Sequence, residues 1–337
     1  MSGKGVTLPR HLLQTQRAQG EASGEFTALL TQISLACKVI AREIGRAALA
    51  GTLGATGTVN VQGEQVKKLD LLANGIMVDA LEESGLVCTL VSEEMDEPLH
   101  FGKACERAKY VVCFDPVDGS SNIDINGVVG TIFSIRRRTG QGPEHVAADL
   151  LQRGTAQVAA GYAMYGPSTV FVYTGGDGVN GFTLDPTIGE FLLSHEGIRI
   201  PGRGKTYSVN EGHVHRWDPQ TRRLVEHLRT ADRATGRPYS LRYVGSLVAD
   251  LHRTLLEGAI YLYPAEGDGA KPPAGKLRLL YEAAPLGFVA EQAGGRASTG
   301  AERILEVQPT SPHQRVPLLI GSPEDVALAE EFHQGKR

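Results

Sequence analysis

A chain of 337 residues is long for one domain and comfortable for two. Apolar residues make up 41% and charged ones 21%, the balance of a globular protein, and a net charge of −4 with a pI near 6.2 argues against a broad nucleic-acid surface. The opening MSGKGVTLPRHLL has no apolar signal core and no run approaches membrane-spanning length, so a cytoplasmic protein without membrane attachment is the default expectation.

In chain order, Phe26, Leu29, Leu30, Ile33, Cys37, Ile40 and Ile44 follow the helical repeat, with Ser23 as a cap and Glu25 in the first turn. A second helix fits Leu69, Leu72, Ala73, Ile76, Met77 and Ala80. Between them AGTLGATGTVNVQGEQ is aperiodic and reads as a long mobile loop, a kind that is often functional. Strand-like runs follow at 87–92, 109–114, 130–136, 159–165 and 169–174. The second half opens with strand-like KTYSVN (205–210) and continues with a helix over 246–258, a strand over 259–265 and a helix over 276–295. LLIGSPEDVALAEEF reads as a strand, Ser322 as cap, Pro323 at the first helical position and a closing helix. GIRIPGRGKT marks the junction, giving domains 1–198 and 199–337 in an α/β architecture of two sheet-and-helix layers. None of Cys37, Cys88, Cys105 and Cys113 forms a CxxC pair, so reduced thiols are expected, Cys88 and Cys113 as small buried hydrophobes.

GDGVNG (176–181) has the letters of a dinucleotide fingerprint, but a strand-like FTLDP follows where a helix is required, so it reads as a hairpin turn. GRGKT lacks the first glycine of a P-loop, because Arg199 stands in its place. The dense motif is CFDPVDGSSNID, 113–124. Its strand is expected to end at Phe114, since Pro116 cannot donate to a ladder. Asp115 and Asp118 then sit in a turn at the strand's carboxyl end, where hard oxygen donors suit Mg²⁺ or Mn²⁺. Glu93 and Glu94 end another apolar strand, and two strands delivering acids to one sheet edge is the pattern of a multi-metal phosphate-cleaving site.

Taken together, DPVDGSSN, VSEE, KLRLLYE, RYVGS, NEG and YLYPA resemble the magnesium-dependent, lithium-sensitive sugar phosphatases, and within them class I fructose-1,6-bisphosphatase, over nearly the whole chain. The resemblance implies an αβαβα sandwich, hydrolysis of D-fructose 1,6-bisphosphate at the 1-phosphate, and a homotetramer. It implies two to three Mg²⁺ (or Mn²⁺) ions per subunit, held by Glu93, Asp115, Asp118, Glu282, the carbonyl of Val117 and a loop acid at Glu64. Glu94 and Asp70 match the pair that activates the attacking water, and Arg278, with Glu282 four residues on along a predicted helix, serves the 1-phosphate with Ser121. Asn210, His213, Tyr243, Tyr263 and Lys276 match the 6-phosphate pocket, with Arg242 reaching from a neighbouring subunit. Ser23, Gly24, Glu25, Thr27, Lys109, Tyr110 and Arg137 resemble the family's AMP site.

Three positions depart from the family pattern: Glu64 for Asp, His213 for Tyr and Ser23 for Thr. His213 and His215 are expected on one strand face, without a third ligand to make a metal site. The cysteine-bearing insert of the chloroplast form is absent, so thioredoxin control is not expected. Duller readings stay beside these: Tyr243 and Tyr263 as core aromatics, Lys276 and Arg278 as a plain helix start, Ser23 as a plain cap. AMP regulation and the preferred metal stay open, as does activity on sedoheptulose 1,7-bisphosphate. An inositol monophosphatase or a non-catalytic AMP sensor are the remoter alternatives.

Overall fold

The computed structural model describes residues 5–18, 24–59, 65–140, 145–267 and 274–337; Ser23 and Glu64 lie outside them. The first layer is helical: α1 (Leu8–Ala18), α2 (Glu25–Ala50) and α3 (Lys68–Ser84). Leu29, Leu30, Ile33, Cys37 and Ile40 of α2 are buried, as their spacing requires, and Gly24 at φ 82° precedes its first turn. Where a structureless loop was expected, β1 (Ala55–Val59) and β2 (Gln65–Lys67) form an antiparallel hairpin. Asp124 holds that hairpin down, accepting from Gly54 N–H (2.9 Å) and from Lys67 Nζ (2.6 Å).

The helices cover an eight-stranded sheet. In chain order its strands are β3 (Val87–Ser92), β4 (Leu99–His100), β5 (Tyr110–Asp118), β6 (Val129–Arg137), β7 (Gln157–Tyr165), β8 (Thr169–Thr174), β9 (Asn180–Asp185) and β10 (Glu190–His195). They lie in the order β10-β9-β8-β7-β6-β5-β3-β4, with β3 and β5 parallel and every other pair antiparallel. The GDGVNG segment joins antiparallel β8 to β9, so it is the hairpin turn its sequence suggested.

On the sheet's other face lie α6 (Leu247–Glu257) and α7 (Ala284–Gln292). They also pack against a second sheet: β11 (Thr206–Ser208), β12 (Ser240–Leu241), β13 (Ile260–Tyr263), β15 (Arg296–Ser298) and β17 (Leu318–Gly321) in the order β12-β11-β13-β17-β15. The short pair β14 (Leu277–Arg278) and β16 (Arg315–Val316) stands apart. The outermost helices are α5 (Pro219–Arg229) and α8 (Pro323–His333), while the short α4 (Val146–Leu150) follows β6 in the chain. Helix, sheet, helix, sheet, helix is the layering the resemblance implied.

Four local readings need correction. β5 does not stop at Phe114: it runs to Asp118, a bulge between Asp115 and Asp118 absorbs Pro116, and Thr131 Oγ1 donates to the Pro116 carbonyl (2.7 Å). The 276–295 segment is not one helix; Leu277 and Arg278 pair with β16, and a wide π-turn over Leu279–Ala283 leads into α7. Residues 211–216 form a 3₁₀ turn, so His213 and His215 share no strand face. Finally, Cys88 and Cys105 are joined in a disulfide (S–S 2.16 Å), because the turn after β4 folds back onto β3; Cys37 and Cys113 are free and buried. Ser322 precedes α8, but its hydroxyl makes no capping bond. Among the described residues no helix is long and apolar enough to cross a membrane.

Candidate metal centre and the pockets beside it

β3 pairs in parallel with β5 as far as Ser92 and Phe114, and Glu93 N–H donates to the Phe114 carbonyl (3.3 Å) where β3 ends and β5 runs on. This delivers Glu93 and Asp115 to one point, and the π-turn brings Glu282 to meet them from the second half. One carboxylate oxygen from each of the three lies within 4.8 Å of the others, and all three residues are buried. Arg278 is buried with them: NH2 meets Glu93 Oε1 at 2.5 Å, NH1 lies 3.8 Å from Glu282 Oε1, and its backbone N–H donates to Glu282 Oε2 (2.5 Å). Arg278 and Glu282 are therefore brought together by a strand end and a π-turn rather than by a helix face.

Asp118 stands just outside that trio. Its carboxylate accepts from Ser246 Oγ (2.8 Å), Leu247 N–H (3.1 Å) and Val248 N–H (3.0 Å), capping α6. Burial pushes its carboxyl up to about 6, with the three donors pulling the other way. Asp115 is held well above the usual carboxylate range by burial and then by the charges of Glu93, Asp118 and Glu282. Burial also raises Glu282, against the pull of Arg278. Three acids face one guanidinium, and the buried Asp115 Oδ2 has no hydrogen-bond partner among the described residues. An oxygen-only donor set with an orphaned carboxylate oxygen fits a hard divalent cation.

The remaining predicted residues surround this centre. Val117 is buried, its N–H donating to Asp115 Oδ1 (3.0 Å). Asp70 is buried in the first turn of α3, where Oδ2 accepts from Lys67 N–H (2.9 Å). Glu94 is half-buried, and Ser121 is exposed in the turn after β5. Asn210 caps the 3₁₀ turn by accepting from Gly212 N–H (3.1 Å), and its amide faces His213 Nε2 at 3.4 Å. Tyr243 and Tyr263 feel the charges of both Asp118 and Glu266, so these two side chains stand near the acids; burial is the main cause raising both phenols. Lys276 Nζ contacts Glu266 (2.8 Å), and Arg242 is exposed. Gly24, Glu25, Thr27, Lys109, Tyr110 and Arg137 all line a separate cavity of about 650 Å³ beneath α1, with Lys109 paired to Glu25 (2.5 Å).

Family models cover almost the entire sequence: "Fructose-1-6-bisphosphatase, N-terminal domain" matches residues 6–196 and "Fructose-1-6-bisphosphatase, C-terminal domain" residues 200–334. The chain belongs to the fructose-1,6-bisphosphatase family. It is 54% identical over 333 residues to a "Fructose-1,6-bisphosphatase class 1" of Chlorobium chlorochromatii, covering 98% of this chain and 99% of that one. A protein of the same description from Oleidesulfovibrio alaskensis is 51% identical over 332 residues, covering 98% of each. The crystal structure of Leishmania major fructose-1,6-bisphosphatase in holo form superposes with a TM-score of 0.90 at 42% identity, covering 97% of this chain and 98% of that one.

Within this bisphosphatase fold, sequence reasoning missed several supporting residues. Asp250, fully buried on α6, accepts from Val244 N–H (3.0 Å), Gly245 N–H (3.3 Å) and Arg253 NH2 (2.5 Å), fixing the segment that presents Tyr243. The only hint was its place in RYVGSLVADLHR. Glu266 carried no signal at all, lying in a stretch without periodicity or motif. His11, Gln16 and Tyr173 also line the N-terminal cavity, and Thr27 Oγ1 donates to Gln16 Oε1 (2.8 Å).

Proposed function

We propose that this chain hydrolyses D-fructose 1,6-bisphosphate to D-fructose 6-phosphate and phosphate, in a metal-dependent reaction of carbohydrate metabolism. The observation that carries the reading is the buried trio of Glu93, Asp115 and Glu282 with Arg278 docked on it, in a chain whose full-length relatives are described as class 1 fructose-1,6-bisphosphatases. Two to three Mg²⁺ or Mn²⁺ ions would be held by Glu93, Asp115, Asp118, Glu282, the Val117 carbonyl and Glu64, and would supply charge neutralisation for the phosphoryl oxygens and the leaving alkoxide.

The protein's own groups do the rest. Arg278 holds the 1-phosphate as a fork donor, with Ser121 at its edge. Glu94 and Asp70 take the proton of the attacking water, so the nucleophile forms in line with the leaving oxygen. Asn210, His213, Tyr243, Tyr263 and Lys276 grip the 6-phosphate and fix the sugar, and exposed Arg242 is the side chain offered to a neighbouring subunit of a homotetramer. The stretch from about residue 49 to 68 would close over the site and exclude bulk water. We assign residues 1–198 to the metal-bearing domain and 199–337 to the sugar domain. The cavity lined by Gly24, Glu25, Thr27, Lys109, Tyr110 and Arg137 has two cations beside a helix start, which suits the phosphate of AMP.

A phosphate-release assay with Mg²⁺, comparing fructose 1,6-bisphosphate, sedoheptulose 1,7-bisphosphate and inositol 1-phosphate with and without AMP, tests this reading. Fructose 1,6-bisphosphate is expected to be the preferred substrate. A preference for either of the others, or no metal-dependent turnover, rejects it.

A further inference from the structure

Glu266 stands in the distal phosphate pocket, an acid where an anion is to be bound. Its backbone is fastened from two sides: it exchanges both hydrogen bonds with Ala274 (3.0 Å each), and the next residue, Gly267, donates to the Arg216 carbonyl (3.0 Å). Its side chain is 10% exposed and meets His213 Nδ1 at 2.7 Å, Lys276 Nζ at 2.8 Å and Arg216 NH1 at 3.7 Å. Those three partners are 31%, 39% and 46% exposed. The acid is therefore the inner member, and the three bases face outward.

Left alone, the Lys276 ammonium and the Arg216 guanidinium repel each other and splay. A carboxylate at their centre draws them together and sets their rotamers before a ligand arrives, a cost that binding would otherwise bear. A carboxylate only accepts, so it fixes the proton of His213 on Nδ1 and turns Nε2 towards Asn210 Nδ2, 3.4 Å away. Burial by itself would raise the Glu266 carboxyl, yet Lys276 and His213 bring it below its ordinary value, so it is charged when it does this.

We infer that Glu266 is a positioning and specificity residue for the distal phosphate, gathering His213, Lys276 and Arg216 onto one point where the phosphate of a sugar bisphosphate docks. This rests on the distal-pocket reading given above. Its action is on substrate binding, not on the reacting bond, because the acids of the metal centre are not among its partners.

The test uses the full-length protein with Mg²⁺ and two substrates, fructose 1,6-bisphosphate and fructose 1-phosphate, which lacks the distal group. Glu266→Gln keeps the shape and removes the charge. Its KM for the bisphosphate is expected to rise about tenfold, the effect of one charge-assisted contact, with kcat changed less than about twofold. Its KM for fructose 1-phosphate should move less than about twofold. Glu266→Asp, which keeps the charge one methylene short, should fall between wild type and Glu266→Gln, and it carries the test if thermal melting shows Glu266→Gln unfolded. An unchanged or lowered KM for the bisphosphate overturns the inference, and so does an equal shift for both substrates. A wild-type protein that does not prefer the bisphosphate over fructose 1-phosphate overturns the distal-pocket reading itself, a different result.

Discussion

Asp115 Oδ2 is a buried carboxylate oxygen without a hydrogen donor among the described residues, set among Glu93, Asp118 and Glu282. Without a cation the trio is held by Arg278; with one, each acid gains a partner. Asp115→Asn separates these states. Metal-supported phosphate release should fall at least about a thousandfold, since several kcal/mol of charge stabilisation leave with the ligand. The metal-free thermal midpoint should not fall, because the substitution removes one of several mutually repelling charges. Mg²⁺ should also lose its ability to raise that midpoint, and a variant with near wild-type turnover would reject the site.

Among the elements, α6 carries both the cap over Asp118 and a poorly solvated imidazole. His252 Nδ1 lies 2.8 Å from Tyr162 Oη, and burial, then the nearby His195, lowers its pKa from 6.5 to about 4. Above 6.5 the group is neutral folded or unfolded and its contribution is intact. As the pH falls towards about 4 the unfolded chain takes the proton first, and stability is lost. Urea midpoints taken at neutral pH and near pH 4.5 should therefore fall less for His252→Gln than for wild type, and parallel curves would exclude His252 as a source of acid sensitivity. Element boundaries were legible where burial is continuous: β3 and β8 run over the residues their apolar stretches suggested. Pro116 misled because a bulge lets a strand pass a residue that cannot donate. α1 buries only Leu8 and Leu12 among its described side chains, too sparse a pattern to mark a helix. α5 had readable signals, Asp218 capping and Pro219 leading, with Leu224, Val225 and Leu228 buried at helical spacing.

At the scale of the whole molecule, the five layers make sense of which site residues could be found from sequence and which could not. The acids were legible because metal chemistry dictates residue type and each sits at a strand end or in a dense motif. The Cys88–Cys105 bond and Glu266 were not, because each acquires its partner only when the chain folds back on itself, and Asp250 was not, because two of its three donors are backbone N–H groups that leave no mark in residue type. Asp118 joins both kinds: a motif carboxylate whose three donors come from residues 246–248, beyond the predicted domain boundary. Asp118→Ala, unlike Asp115→Asn, should cost about 1–3 kcal/mol of stability as well as activity, because it strands those donors. Denaturant unfolding of the two variants side by side checks the contrast; equal stability would mean water replaces the carboxylate without loss.

That cap ties the acid cluster to the packing of the two halves of the molecule. One of its acids is supplied by the first sheet but seated by a helix on the far side, so it can be in place only while both halves of the molecule keep step. A small slide of α6 against β5 would part Asp118 from all three of the donors that seat it.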